Sequence, residues 1–257
     1  MTTSPGPRLA QAAAGALRDF CRDDPGRSVA LSFHDPAVAV PVVLHENGDV
    51  ARPIASIIKV AMIMALHDQA SEGALALDEQ VSLSTLRGTR YCSIMKAFDP
   101  DRTLSLAELA AIALITSDNP VAVLLEERIG RAPVGEVLAR AGVAPGNARM
   151  TAGFREGELG PKNRANSMSA LDVLHLFAHL RAEARYRHVV TALENNLRNN
   201  RIPALLPDEA IIAHKTGSLN GVVNDAGIVR LGENAFTIAF LTDNQPDPAT
   251  TSNDIAK

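Results

Sequence analysis

The spacing of apolar and polar positions changes period twice along the chain. Over residues 8–22 the apolar side chains Leu9, Ala13, Ala16, Leu17 and Phe20 recur every three or four positions. That predicts an amphipathic helix, stopped by Asp23-Asp24-Pro25-Gly26. Residues 28–33 and 41–45 then read as two strands, a hairpin-like pair around His34-Asp35-Pro36. From Ile54 the pattern turns helical. Residues 56–70 are apolar nearly all round, the mark of a buried helix. Further helices are predicted over 106–115, 121–129, 134–141 and 170–182, separated by Gly, Pro and Asn. After Leu206-Pro207 the period returns to two over 210–214, 226–231 and 235–242, the last two joined by the turn Gly232-Glu233-Asn234.

Strands at both ends and helices between them predict an α+β fold. One antiparallel sheet is assembled from residues 1–51 and 201–257, and residues 52–200 form a helical lobe, with a ligand cleft between the two. The stretch from Asp247 to Lys257 opens like a helix that the chain's last residue cuts short. The expectation is a truncated chain or one without an ordered final helix. The longest apolar run, residues 60–66, is far below the roughly 20 residues a membrane span needs. No basic lead-in precedes the apolar residues near the N-terminus, so a cytoplasmic protein is expected, or an exported one whose signal has been removed.

Composition narrows the chemistry. A net charge of −4 argues against a nucleic-acid partner, which usually demands a basic face. Aromatic residues are 4% of the chain and Trp is absent, so stacking platforms for bases or sugars are not expected. Two cysteines, Cys21 and Cys92, cannot build a disulfide framework or a Cys-rich zinc site. His175 and His179 share a helical face but lack the glutamate of a His-Glu-x-x-His site, and read as packing or surface residues. Met62 and Met64 read as core filler. No metal and no cofactor is expected. Residues 195–200, rich in Asn, read as a solvated helix end before Arg201-Ile202-Pro203.

Only five lysines stand among 25 basic residues, so each is informative. Lys59 follows Ser56 by three positions at the start of the buried helix. That spacing predicts hydroxyl and ammonium on one helical face within hydrogen-bond reach. Burial pushes a lysine toward its neutral form, which can take a proton from serine. Chance supplies about 0.3 such pairs in a chain of this composition, and Ser93-Ile94-Met95-Lys96 fits the same template. The long apolar helix behind Ser56 favours Ser56. Lys215-Thr216-Gly217 lies on a predicted strand, where glycine lets a ligand approach the backbone; its chance expectation is roughly 0.03. Ser117-Asp118-Asn119 follows the third apolar helix, with a chance expectation of roughly 0.05, and by itself it also reads as a helix cap.

Ser-x-x-Lys, Ser-Asp-Asn and Lys-Thr-Gly in this order are the signature of class A β-lactamases and penicillin-binding proteins. The sequence resembles class A β-lactamases and related serine hydrolases over most of its length. Residues 115–122, Ile129-Gly130 and Asn224-Asp225 match the family's surroundings of these motifs. The resemblance implies Ser56 as acylated nucleophile, Lys59 as its base and Ser117 as proton relay to the leaving nitrogen. It implies an oxyanion hole from the backbone N–H groups of Ser56 and Ser218. Asn119 would hold the substrate's amide side chain, and Lys215 and Thr216 its carboxylate. Apart from the resemblance, Tyr91, before the second motif, reads either as lining the cleft entrance or as an ordinary half-buried tyrosine.

The same resemblance makes Glu156, in Phe154-Arg155-Glu156-Gly157-Glu158-Leu159-Gly160, the base that activates the hydrolytic water. Three departures stand out. Gly160 replaces the asparagine that helps hold that water, Phe154 and Asn166 stand where the family clamps the loop with an ion pair, and Leu219 occupies an often small position. The stretch after Lys215 carries no arginine to assist it. A more mobile loop and slower deacylation are expected. The function expected is hydrolysis of a β-lactam or related amide by a monomer acting on a small molecule. The alternatives are an esterase, amidase or D-alanyl-peptide hydrolase, and an acylated sensor that does not turn over.

Overall fold

The structure is a computed structural model that describes residues 5–34, 40–86, 91–155 and 165–257. In chain order its elements are α1 (Pro5–Cys21), β1 (Arg27–Phe33), β2 (Val42–Glu46), β3 (Arg52–Pro53), α2 (Ile58–Ser71), β4 (Gln80–Ser82) and β5 (Thr103–Ser105). Then follow α3 (Leu106–Ile115), α4 (Asn119–Ile129), α5 (Arg131–Arg140), β6 (Ser167–Met168), α6 (Ala170–Ala182) and α7 (Arg187–Glu194). The chain ends with β7 (Ile211–Leu219), β8 (Val222–Leu231), β9 (Asn234–Thr242) and α8 (Pro248–Ala256).

A five-stranded antiparallel sheet in the order β2-β1-β9-β8-β7 joins the two ends of the chain, with Ala30 of β1 facing Ala239 of β9. Alternation along the strands sends side chains to two separate cores. Val29, Leu31, Val223, Val229 and Phe240 pack under α1 and α8 with Leu17, Phe20 and Ile255. Ala30, Ala226, Ile228, Ala239 and Leu241 face the helical mass, where α6 lies against β9 and β1. The fold is α+β, with helices covering both faces of the sheet.

α2 is the hub of the larger core: every residue from Ile58 to Asp68 is buried, including Met62 and Met64. A helix with no polar face cannot lie at a surface, so it is enclosed by α3, α4, α5 and α7. Its first α-helical residue is Ile58, because residues Ala55–Ile57 form a 3₁₀ turn that carries Ser56. The expected final helix without order is overturned, since α8 forms. Asp247 accepts hydrogen bonds from the Ala249 and Thr250 amides, Pro248 occupies the first turn, and Ile255 is buried. An Arg27–Asp254 ion pair at 2.9 Å fastens α8 beside β1. β7 and β8 run further than their periodicity predicts, meeting at Leu219 and Val222 across Gly221. There a φ of 69° suits glycine. Among the described residues no helix is long and apolar enough to cross a membrane.

Candidate active site

Ser56 sits in a strained turn. The preceding Ala55 has φ of 51°, a left-handed conformation that costs a residue with a Cβ about 1–3 kcal/mol and persists only where surroundings over-determine it. Here the surroundings are the sheet. Asn224 of β8 donates its amide to the Pro53 carbonyl at 2.7 Å and accepts from the Thr242 N–H at 2.7 Å. β7 runs so close that a Cβ on Gly217 would stand 2.6 Å from the Ile54 carbonyl oxygen and 3.4 Å from the Ser56 nitrogen. Only glycine lets this strand lie against the Ser56 turn.

One helical turn on, Lys59 is completely buried. Its Nζ donates to the Ser117 carbonyl at 2.7 Å, Asn119 Oδ1 at 2.8 Å, the Asp118 carbonyl at 3.3 Å and Ser117 Oγ at 3.4 Å. The Phe154 ring lies 4.8 Å from it. No hydrogen bond joins it to Ser56 Oγ among the described residues, contrary to the expectation from helical spacing. The 3₁₀ turn takes Ser56 off the α-helical face, and the ammonium turns to the second motif instead. Burial holds Lys59 well below the usual lysine range, and the nearby Lys215 cation adds to the effect.

The second motif divides its labour. Asp118 is the N-cap of α4, accepting from the Val121 N–H at 3.0 Å, and it also accepts from the Ile94 N–H at 3.2 Å. The cap reading is therefore right for Asp118, while Ser117, held at φ 62°, and Asn119 turn to Lys59. An open cavity of about 550 Å³ is lined by Ser117, Asn119, Tyr91, Ser93, Ile94 and Arg198, among others. In the competing Ser93–Lys96 pair, Ser93 caps a 3₁₀ turn and Lys96 donates to the Tyr91 carbonyl at 2.8 Å. Lys96 is only half-buried.

Lys215 is also fully buried, and its Nζ donates to the neighbouring Thr216 carbonyl at 2.9 Å. Burial pushes it down to about 7, opposed by the Asp225 carboxylate and assisted by the Arg198 and Arg201 cations. Asp225 is itself engaged: it takes His214 Nδ1 at 2.9 Å and the Ile202 N–H at 3.2 Å. Among the described residues neither Lys59 nor Lys215 has a carboxylate within ion-pair distance.

Two arginines arrive that local pattern does not announce. Arg201, 7% exposed, donates to Ser218 Oγ at 2.6 Å, to the Gly217 carbonyl at 3.1 Å and to the Asn224 carbonyl. β7 has no arginine of its own, but one reaches it from 14 residues before Lys215. Arg198 is exposed, and its Nε and Nη2 both donate to the Thr116 carbonyl at 3.4 Å. The Asn-rich run 195–200 is exposed as expected, except at Asn196. Asn196 is buried, its amide donating to the His214 carbonyl at 3.0 Å, and Asn199 Oδ1 meets His214 Nε2 at 3.1 Å. An Asn-rich run reads as surface, yet here its amides satisfy polar groups that β7 would otherwise bury unpaired.

Glu156, Glu158 and Gly160 lie outside the described residues. The neck of their loop is well fastened. Asn166 Oδ1 accepts from the Thr151 and Ala152 N–H groups at 2.8 and 3.1 Å, and its amide donates back to the Ala152 carbonyl at 2.7 Å. Glu126, unnoticed in the sequence, accepts from the Phe154 N–H at 2.9 Å and from Arg131 at 2.6 Å. Phe154 is no clamp but the apolar wall over Lys59. His175 and His179 find separate partners, the Gly142 carbonyl and the Tyr186 ring.

The chain is 25% identical over 237 residues to a β-lactamase of Bacteroides uniformis, spanning 84% of this chain and 79% of that one. Its fold is similar to that of a β-lactamase from Sphaerobacter thermophilus, with a TM-score of 0.81 at 22% identity over 96% of this chain and 93% of that one. It is also similar to that of PBP-A, with a TM-score of 0.78 at 21% identity over 95% and 92% of the two chains. Residues 15–257 match the sequence model of the β-lactamase enzyme family. The chain therefore belongs to that family and is a β-lactamase-like hydrolase.

Proposed function

We propose that this chain is a serine hydrolase of the class A type, opening a β-lactam or related amide through an acyl-enzyme on Ser56. The observation that carries the reading is Lys59: fully buried beside the Ser56 turn, with no carboxylate within ion-pair distance among the described residues, and bonded to Ser117 and Asn119. Burial of this depth favours the neutral form of a lysine, the form that can accept a proton. Neutral Lys59 takes the Ser56 proton as Oγ adds to the amide carbonyl carbon. The oxyanion forms against the backbone N–H groups of Ser56 and Ser218. Collapse breaks the C–N bond, and the leaving nitrogen takes a proton through the Ser117 hydroxyl. Water then adds to the acyl carbon with Glu156 accepting its proton, and Ser56 leaves reprotonated.

Asn119 orients the acyl side chain, while Lys215 and Thr216 hold the substrate carboxylate. Arg201 supports that end by fixing Ser218 and the Gly217 carbonyl. Tyr91 borders the entrance of the cleft. Gly160 offers no side-chain amide to the hydrolytic water. That favours a slow acyl-enzyme as the second reading, on D-alanyl peptides or as a sensor. A chromogenic cephalosporin assay with intact-protein mass spectrometry separates the two. Steady turnover that Ser56→Ala abolishes is expected. A lasting adduct on Ser56 without turnover selects the second reading, and no adduct from any β-lactam overturns both.

A further inference from the structure

Four basic side chains gather around the site: Lys59 and Lys215, both fully buried, Arg201, which donates to Ser218 Oγ, and Arg198, which lines the cavity with Ser117 and Tyr91. Asp118, which acts on Lys59, and Asp225, which acts on Lys215 and Arg201, are spent on backbone N–H groups and on His214. Lys59 works as a neutral base, and one substrate carboxylate answers Lys215. A substrate with a single negative charge therefore leaves Arg198 uncompensated. Arg198 is also built differently from Arg201. The guanidinium of Arg201 is buried against three protein acceptors. The guanidinium of Arg198 is exposed and anchored through Nε and Nη2 to one carbonyl oxygen, that of Thr116. Five N–H donors minus the two so used leave three, in a rigid fork suited to a carboxylate or sulfonate. No ion pair occupies them among the described residues. Thr116 immediately precedes Ser117, and Arg198, Ser117 and Tyr91 line the same cavity.

We infer that Arg198 is a specificity residue that reads a second anionic group on the leaving-group half of the substrate, so that dianionic substrates are the preferred class. The inference rests on the acyl-enzyme reading above, with Ser117 serving the leaving nitrogen. It follows that the substrate's first carboxylate goes to Lys215 and Thr216, while the second is held at the mouth by the Arg198 fork.

The test compares two cephalosporins with 3′ substituents of similar size, one bearing a sulfonate or carboxylate and one neutral. Acylation of Ser56 is followed by mass spectrometry, and kcat/KM is measured on the intact chain. The wild type is expected to prefer the anionic compound. In Arg198→Gln the ratio of the two kcat/KM values falls by about tenfold or more, the range of a charge-assisted hydrogen-bonded contact. The loss lies in KM, and Arg198→Lys restores part of it. Melting temperatures of both variants matching wild type separate this effect from misfolding. A ratio that stays at the wild-type value in Arg198→Gln overturns the inference while leaving the acyl-enzyme reading intact. Failure of both compounds to acylate Ser56 overturns the acyl-enzyme reading, and the inference with it.

Discussion

α2 buries a charged residue near each end, and the two are treated in opposite ways. Lys59 and Asp68 are nine residues apart on one helix, about 13–14 Å at about 1.5 Å per residue. Asp68 is surrounded by donors: the Tyr186 hydroxyl at 2.7 Å, Arg185 at 3.2 Å, and Arg140. Lys59 has carbonyl, amide and hydroxyl oxygens around it but no carboxylate within ion-pair distance among the described residues. At the Asp68 end a buried charge is compensated and serves to join α2 to α5 and to the segment before α7. At the Lys59 end the compensation stops short, so the proton is held loosely. Partnered burial is architecture; underpartnered burial leaves a base ready to act.

The strongest test of that contrast removes Lys59. Lys59→Met is expected to lower turnover of a chromogenic cephalosporin by about 10²–10⁴-fold, the usual contribution of a positioned base. Its melting temperature should fall less than that of Asp68→Ala. A larger fall in Lys59→Met than in Asp68→Ala breaks the comparison, because Lys59 would then be the structural charge.

Asp68→Ala reverses the outcome. Arg140 and Arg185 have side chains 44% and 41% exposed and can turn to solvent, but the Tyr186 hydroxyl is buried and loses its acceptor. The expected destabilisation is about 1–3 kcal/mol, read by urea unfolding. Turnover per folded molecule should stay near wild type, and a loss of the size seen in Lys59→Met would place Asp68 in the chemistry.

pH sharpens the same point at Lys215. Its pKa is depressed to about 7, so it is charged below that value and loses its proton above it. The kcat/KM for a carboxylate substrate, which reports the free enzyme, should therefore fall by up to about tenfold per pH unit above about 7. Lys59 acts in the opposite sense. It must be neutral to accept the Ser56 proton, so its titration forms the acid limb. Esterifying the substrate carboxylate should flatten the alkaline fall; a fall that persists with the ester removes Lys215 as its cause.

How much of this was legible depended on range. The 3.6-residue and two-residue periods marked α1 through α6 and all five strands of the main sheet, because each pattern is local. The pairs β3–β6 and β4–β5 are too short to show an alternation. The start of α8 is legible at Asp247 and Pro248, but not that nine residues suffice to complete it, because that depends on burial of Ile255 and the Arg27–Asp254 ion pair. In the site, the three motifs picked out Ser56, Lys59, Ser117, Asn119, Lys215 and Thr216, and the structure brings their segments together around Lys59. The partner of Lys59 was misread, because i to i+3 spacing assumes an α-helix where Ala55–Ile57 forms a 3₁₀ turn. Arg198 and Arg201 carried no local signal. They lie among asparagines that look solvated, and only the docking of that run on β7 gives them their positions.

The sequence alone determined what depends on neighbours a few residues away: the all-buried character of α2, the cap at Asp118 and the presence of the three motifs. Tertiary structure decided what depends on groups far apart in the chain. It set which oxygens Lys59 meets and how far Lys215 is discharged, and it brought Arg201 to Ser218 and left Arg198 at the mouth of the cleft. The physical reason is that hydrogen-bonding periodicity is short-ranged, whereas the state of a charge is set by everything that excludes water from it. Around Lys59 that exclusion is achieved by α2, the turn at Ser117 and the Phe154 ring, assembled from three separate stretches of the chain.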